Sequence, residues 1–397
     1  MADGRTDLED PRAVAAAWSR VVEPADAAAG HLVRVLGAAD ALAWLLDAVP
    51  GPDVAERAIR RLHAERPDLP DALAPARLLR AVSRWAPRTR GLDPRRELRA
   101  LDLLGGTLVL PGDPGWPRAL DDLGAAGPHC LWVRGDPGLA ALAARSVAVV
   151  GARACTEYGR HVAAELAHGL AGRGLTVVSG GAYGIDAAAH RAALAAGGIT
   201  IAFLAGGLDR YYPAGNAELL GRVAARGLVI AEVPPGVPPT RFRFLSRNRL
   251  LAAASAATVV VEAGLRSGSI NTANHALALG RPIGAVPGPV TSPASAGCHR
   301  LLREEQAMCI TSADDAVELA GGERAEPPAS YQPGDPDVVR VLDALGVRRG
   351  RSADDVARSS GMAVAAALGV LATLEVAEAV RRTDSGWVRV PGSPASR

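Results

Sequence analysis

From Ser146 onward the chain alternates short, nearly unbroken apolar runs with helical windows, and nothing else in it constrains the fold so tightly. The runs are SVAVVG from 146, LTVVSG from 175, ITIAFLAGG from 199, GLVIAEV from 227, ATVVVEA from 257 and RPIGAVPG from 281. Between the first of them lie EYGRHVAAELAHGLAGRG and IDAAAHRAALAAGG, whose apolar spacing is helical. A strand with one wet face alternates polar and apolar residues, whereas a continuous Val/Ile/Leu run needs cover on both faces. Such strands separated by helices predict an α/β fold with a parallel sheet sandwiched between helical layers.

The flanks read differently. Residues 12–90 carry helical apolar stretches broken by Pro and Gly, and the strand-like TLVLPG and CLWVRG bridge to the sheet. The Gly/Glu/Pro-rich GGERAEPPASYQPGD predicts a linker. Beyond it, PDVVRVLDALG, SADDVARSSG and AVAAALGVLATLEVAEAV predict three helices, followed by a wing at RRTDSGWVRV. Ser352 is placed to cap the second of these helices. The expected division is therefore a helical domain over 1–95, the sheet domain over 96–320, a linker over 321–335 and a winged-helix module over 336–397.

Composition excludes several classes. Hydrophobic residues make up 49% of the 397 and charged residues 22%, against the low hydrophobicity of disordered chains. No charge-free run of about 18 apolar residues occurs, so no membrane span is expected. The acidic start MADGRTDLED lacks the apolar core of a signal peptide, and a cytoplasmic location is expected. Cys130, Cys155, Cys298 and Cys309 are scattered, which predicts reduced thiols and neither a disulfide framework nor a zinc site. Net charge is +2 and every one of the 44 basic residues is arginine. Arginine abundance thus reflects overall composition, and only the placement of arginines is informative.

Ligands of open parallel sheets bind beyond the carboxyl ends of the strands. There the sequence places Gly151 and Arg153, then Ser179, Gly180, Gly181, Ala182, Tyr183, Gly184 and Asp186. After the 257 run come Arg266, Ser267, Gly268 and Ser269, leading to Thr272. Glycine lets backbone N–H groups approach an anion, hydroxyls add donors and guanidinium forks suit phosphate. RFRFLSRNR, from 241, adds Phe244, Arg247, Asn248 and Arg249, basic residues interleaved with aromatics and free of acid; the pattern matches a surface that tracks a phosphate backbone and stacks bases, and equally core phenylalanines beside a solvated arginine face. No GxGxxG or GKS/GKT loop supports a dinucleotide or ATPase reading. His190 lies one helical turn past Asp186 and is expected to pair with it structurally. Glu262 ends a strand as a lone carboxylate; no nucleophile–base–oxyanion set surrounds it, so a binding protein is expected rather than an enzyme, with no metal and no cofactor.

Six ordered motifs then resemble the DNA-processing protein A (DprA/Smf) family: VAVVGARACTEYG, SGGAYGIDAAAH, GGLDRYYPAGNAEL, FLSRNRLLAAAS, RSGSINTA and AVPGPVTSPASAGCHRLLREEQA. The resemblance runs from about Leu101 to Val317, and the C-terminal module is similar to the family's winged-helix appendage. It implies an extended Rossmann-like fold that binds single-stranded DNA without cleaving it, dimerises, protects incoming strands in natural transformation and helps load RecA recombinase. It also implies a phosphate pocket at Arg153, 179–186, Arg247 to Arg249 and Arg266 to Ser269. Departures are Ala152 in the GSR turn, Gly181 for Leu, Tyr183 at a position often basic, Arg266 for Lys, and Glu378 where the winged helix often has Gly. The competing enzyme reading is a nucleotide phosphoribohydrolase on the same fold. It needs a Glu after the serine-glycine turn, and EAGLRSGSINTANHA has none.

Overall fold

A computed structural model describes residues 8–136, 138, 143–323, 335–347, 349–383 and 385–390. They divide into two compact units, Met1–Arg324 and Ala325–Arg397. Most of the linker expected over 321–335 lies outside the described residues.

The first unit opens with six helices: α1 (Pro11–Val21), α2 (Ala27–Leu36), α3 (Ala38–Ala48), α4 (Pro52–Glu65), α5 (Pro75–Thr89) and α6 (Pro94–Leu103). Proline at the first position and an aspartate cap start α1 and α6, where the missing N–H costs nothing and the carboxylate accepts orphan donors. Trp18 and Trp85 meet edge to face at 6.0 Å in their shared core, and each indole has a partner, Ala38 O and Asp26 Oδ2. The opposite side of α1 presents Ala15 and Ala16 to Trp132 of the sheet, so the helices and the sheet share buried surface.

The sheet follows as β1 (Gly106–Val109), β2 (Leu131–Gly135), β3 (Ser146–Val150), β4 (Thr176–Ser179), β5 (Thr200–Leu204), β6 (Leu228–Ala231), β7 (Ala257–Val260), β8 (Ile283–Ala285) and β9 (Met308–Cys309). Its order is β1-β2-β6-β5-β4-β3-β7-β8-β9. The strands from β6 to β9 are parallel, and β1 and β2 add an antiparallel edge. The Rossmann-like α/β architecture is as the sequence predicts, with the two bridging segments forming the antiparallel edge strands β1 and β2.

Alternate residues of each strand feed opposite faces. Val147 and Val149 pack under α7 (Glu157–Gly172), α8 (Ile185–Ala195) and α13 (Ala313–Leu319). Ala148 and Val150 pack with α10 (Arg241–Ala254), α11 (Gly268–Ala278) and α12 (Ala296–Arg303). Helix α9 (Ala217–Arg226) covers the first face farther along, against Ala202 and Leu204. The chain builds outward from β3 through β4, β5 and β6, then crosses back through α10 to place β7 on the other side of β3. That reversal opens a crevice beyond the carboxyl ends of β3 and β7.

The second unit holds α14 (Pro336–Asp343), α15 (Ala353–Ser360), α16 (Val364–Val376) and the antiparallel pair β10 (Val380–Thr383) and β11 (Gly386–Arg389), a winged helix. Ser352 caps α15 by accepting from Asp355 N. Glu378 has a φ of +57°, the left-handed conformation that favours glycine, which explains why this corner often carries Gly in the winged helix.

One buried carboxyl in the first unit is poised to titrate. Glu97 on α6 meets Arg20 of α1 at 3.2 Å, and its other oxygen has no hydrogen-bond partner among the described residues. Burial pushes its pKa up to about 7, against the opposing pull of Arg20. A folded-state value above the unfolded one makes the folded form the better proton acceptor. This stabilising share is therefore full below about pH 4.5 and is lost as the pH rises through about 7. Glu97→Gln should exceed the parent in stability at pH 8 by about 1–3 kcal/mol, with the gap closing near pH 4.5 in paired urea melts. A gap independent of pH would contradict the assignment.

Candidate nucleic-acid interface

The switch-point crevice is a cleft of about 950 Å³. One wall is the turn after β3, Gly151 to Arg153, and the opposite wall is the turn after β7 running into α11. Ala152 N donates to Glu262 O at 2.8 Å, which fixes the two turns against each other. The Glu262 carboxylate is buried and accepts from Thr156 N at 2.9 Å and from Thr156 Oγ1, holding the start of α7. Its role is thus structural.

Helix α10 forms the floor. Thr240 caps it and its first two turns carry no acid. Arg247 lies almost fully buried, donating from Nη1 to Gly180 O at 2.8 Å and to Phe203 O. A Cβ on Gly180 would stand 2.6 Å from this guanidinium, so only glycine lets Arg247 cross there. Burial pulls the Arg247 pKa down to about 10, partly offset by Asp186, and the cation persists at neutral pH. Asp186, itself buried, accepts from Ala182 N at 3.3 Å; burial raises its carboxyl, while Arg247 and the backbone N–H groups of the turn oppose the rise. Gly184 adopts φ +78°, and a Cβ there would stand 2.3 and 2.4 Å from the carbonyl oxygens of Ala152 and Arg153, so a side chain would push the first wall outward.

Arg153 is exposed and stands 4.5 Å from the centroid of the Phe244 ring, with Arg247 at 6.0 Å and Tyr212 packed against the ring at 5.7 Å. Phe244 therefore props a guanidinium. Across the cleft, Ser267 caps α11, and its Oγ lies 2.7 Å from Ser269 Oγ. Asn248 donates to Gly268 O at 3.1 Å and Asn271 Oδ1 at 3.2 Å, aligning the α11 N-terminus with the floor. The lining holds Arg153, Arg241, Arg247, Arg266 and Arg300 against one carboxylate, Asp186. Five cations to one anion, with a helix N-terminus and two hydroxyls facing them, make this crevice strongly electropositive.

Of the residues singled out from sequence, the cleft gathers Gly151, Arg153, Ala182, Asp186, Phe244, Arg247, Asn248, Arg266, Ser267, Gly268, Ser269 and Thr272. Gly180, Gly181 and Gly184 shape the turns behind it. Ser179 Oγ is buried and donates to Val149 O at 2.7 Å, tying β4 to β3. Tyr183 is half-exposed outside the lining, its hydroxyl accepting from Gly215 N. Arg249 is turned away into a buried pair with Glu232, at 2.8 and 2.5 Å, and also donates to Ala126 O and Ser246 O. His190 hydrogen-bonds Thr200 Oγ1 at 2.7 Å instead of pairing with Asp186; strand β5 supplies a hydroxyl that reading along the helix alone did not consider. Tyr212, Asn274 and Arg300 also line the cleft and were missed. For Arg300 the signal was available: it lies on the helix after β8, at the same end of the sheet.

Fold and crevice together define a Rossmann-like α/β protein with an electropositive cleft at its topological switch point. A profile of the family described as DNA recombination-mediator protein A matches residues 107–321, and one of the DprA winged helix domain matches 325–386. A putative DNA processing protein DprA of Mycobacterium tuberculosis is 45% identical over 395 residues, 95% of this chain and 94% of that one. The X-ray structure of DprA from Streptococcus pneumoniae superposes with a TM-score of 0.56 at 31% identity, covering 70% of this chain and 96% of that one. Protein Smf of Escherichia coli is 37% identical over 272 residues, 66% of this chain and 72% of that one. The chain belongs to the DNA-processing protein A (DprA/Smf) family.

Proposed function

We propose that the switch-point cleft binds the sugar–phosphate backbone of single-stranded DNA without regard to sequence. The observation that carries this reading is the ring-propped Arg153 facing the Ser267–Ser269 turn across a floor formed by Arg247. Such a set offers charge and N–H or O–H donors to phosphate, and little that reads base edges. We read the protein as a binder without catalytic activity or cofactor, because the carboxylates near the cleft are engaged: Glu262 holds Thr156 and Asp186 balances Arg247. Its family membership supports a cytoplasmic role in protecting incoming DNA during natural transformation and recombination, in loading RecA recombinase, and in acting as a homodimer.

The test is binding of oligothymidine as a function of salt. Each neutralised phosphate contributes about −0.7 to the log–log slope on a single strand, so several contacts give a steep fall in affinity. A flat dependence, or equal affinity for duplex, would refute the reading. Release of free base from nucleoside monophosphates, abolished by Arg153→Ala, would favour a phosphoribohydrolase instead.

The winged helix is not needed for this binding. Its third helix, VAAALGVLATLEV, offers no cation to a groove, and the whole segment 336–397 has nine arginines against seven acidic residues. Removing 336–397 is expected to leave affinity for a short oligonucleotide within about twofold, a small difference on the roughly 1.4 kcal/mol-per-decade scale. A tenfold loss would make that module a reader.

A further inference from the structure

A second groove, about 730 Å³, lies between α5 and the first turn of α10. Along α5 it presents Arg77, Arg80 and Arg84, spaced three and four residues apart and all exposed, hence one cationic stripe on one helix face. Facing them is Phe242, a phenylalanine left 55% exposed in the first turn of α10. The acids in the groove are already engaged. Glu23 accepts from Arg243 twice at 2.9 Å and from Arg88. Asp26 caps α2, accepts from Trp85 Nε1 at 2.9 Å and meets Arg84 at 3.2 Å. Arg77 and Arg80 form no ion pair with a carboxylate among the described residues.

The groove adjoins the cleft. Thr240, the cap of α10, lines both, and the next two residues part around it, Arg241 into the cleft and Phe242 into the groove. A chain leaving the cleft over this ridge passes the open N–H groups of α10's first turn, which favour an anion.

We propose that this groove is a second subsite for the same single strand, with Arg77, Arg80 and Arg84 taking successive phosphates and Phe242 offering its ring to a base. The proposal rests on single-strand binding in the cleft and extends its path onto the N-terminal helices. Stacking on an exposed ring needs no particular base, and three guanidinium groups in a row match a repeating phosphate.

The test uses the full chain and two oligothymidines, one of about six nucleotides that the cleft alone accommodates and one of about twenty. Arg77→Ala/Arg80→Ala alters only exposed side chains, and thermal melts should match the parent. The short oligonucleotide should bind it as it binds the parent. The long one should bind at least about tenfold more weakly, with a salt slope shallower by about 1.4 for two lost contacts. Phe242→Ala should also weaken only the long one, and Arg80→Glu more strongly still. Parental affinity and slope for the long oligonucleotide in both Arg77→Ala/Arg80→Ala and Arg80→Glu overturn the second subsite. Arg153→Ala separates this from the cleft reading. If it weakens the short oligonucleotide, the cleft stands whatever the groove does; if it affects neither length, the cleft reading fails and the extension built on it falls too.

Discussion

Arg249→Ala should lower the unfolding free energy by about 3–5 kcal/mol, while folded protein at low temperature should retain nearly the parental salt slope for oligothymidine. The reason is Glu232. Arg249 grips its carboxylate with both terminal nitrogens, at 2.8 and 2.5 Å, inside a region where both residues are buried. Removing the cation strands a buried anion and also frees the carbonyls of Ala126 and Ser246. Glu232→Ala should cost a similar amount, and exchanging both residues together for apolar ones of similar volume should recover most of the loss. Urea melts beside anisotropy titrations make the comparison. Unchanged stability with collapsed affinity would return Arg249 to the binding surface.

The converse is expected of Arg153→Ala/Arg266→Ala. Both side chains are exposed on opposite walls of the cleft, so thermal stability should hold. Each lost charge-assisted contact to phosphate is worth about 1.5 kcal/mol or more, so affinity should fall about 100-fold for every sequence tried. The slope should also fall by about 1.4. A loss confined to particular sequences would mean that these arginines read bases.

The contrast between Arg247 and Arg249 shows where sequence reasoning reaches its limit. Two residues apart on a helix point to roughly opposite sides, so RNR could never have put both guanidinium groups into one pocket. The strands from β3 to β8 were legible because burial on both faces leaves an unbroken apolar signature. Strand β9, two exposed residues at the edge, leaves none. The turns were legible because strand ends in an open sheet share one rim. Ser179 was misplaced because a hydroxyl after a strand reads alike whether it faces solvent or bonds the neighbouring strand, as it does with Val149. The link between the N-terminal helices and the sheet, through Ala15, Ala16 and Trp132, depends on contacts more than 100 residues apart, which local periodicity does not encode.

The stacking of Arg153 on Phe244 has a kinetic corollary. A long cation normally forfeits about 0.5–1.5 kcal/mol of rotamer freedom when it is immobilised on a partner. Here the aromatic backing imposes part of that restriction before any ligand arrives, so little reordering of this charge should accompany binding. If the cleft holds a strand as proposed, a thread of identical repeating anions should advance by one unit without the protein rearranging, so that lateral travel would come cheaply.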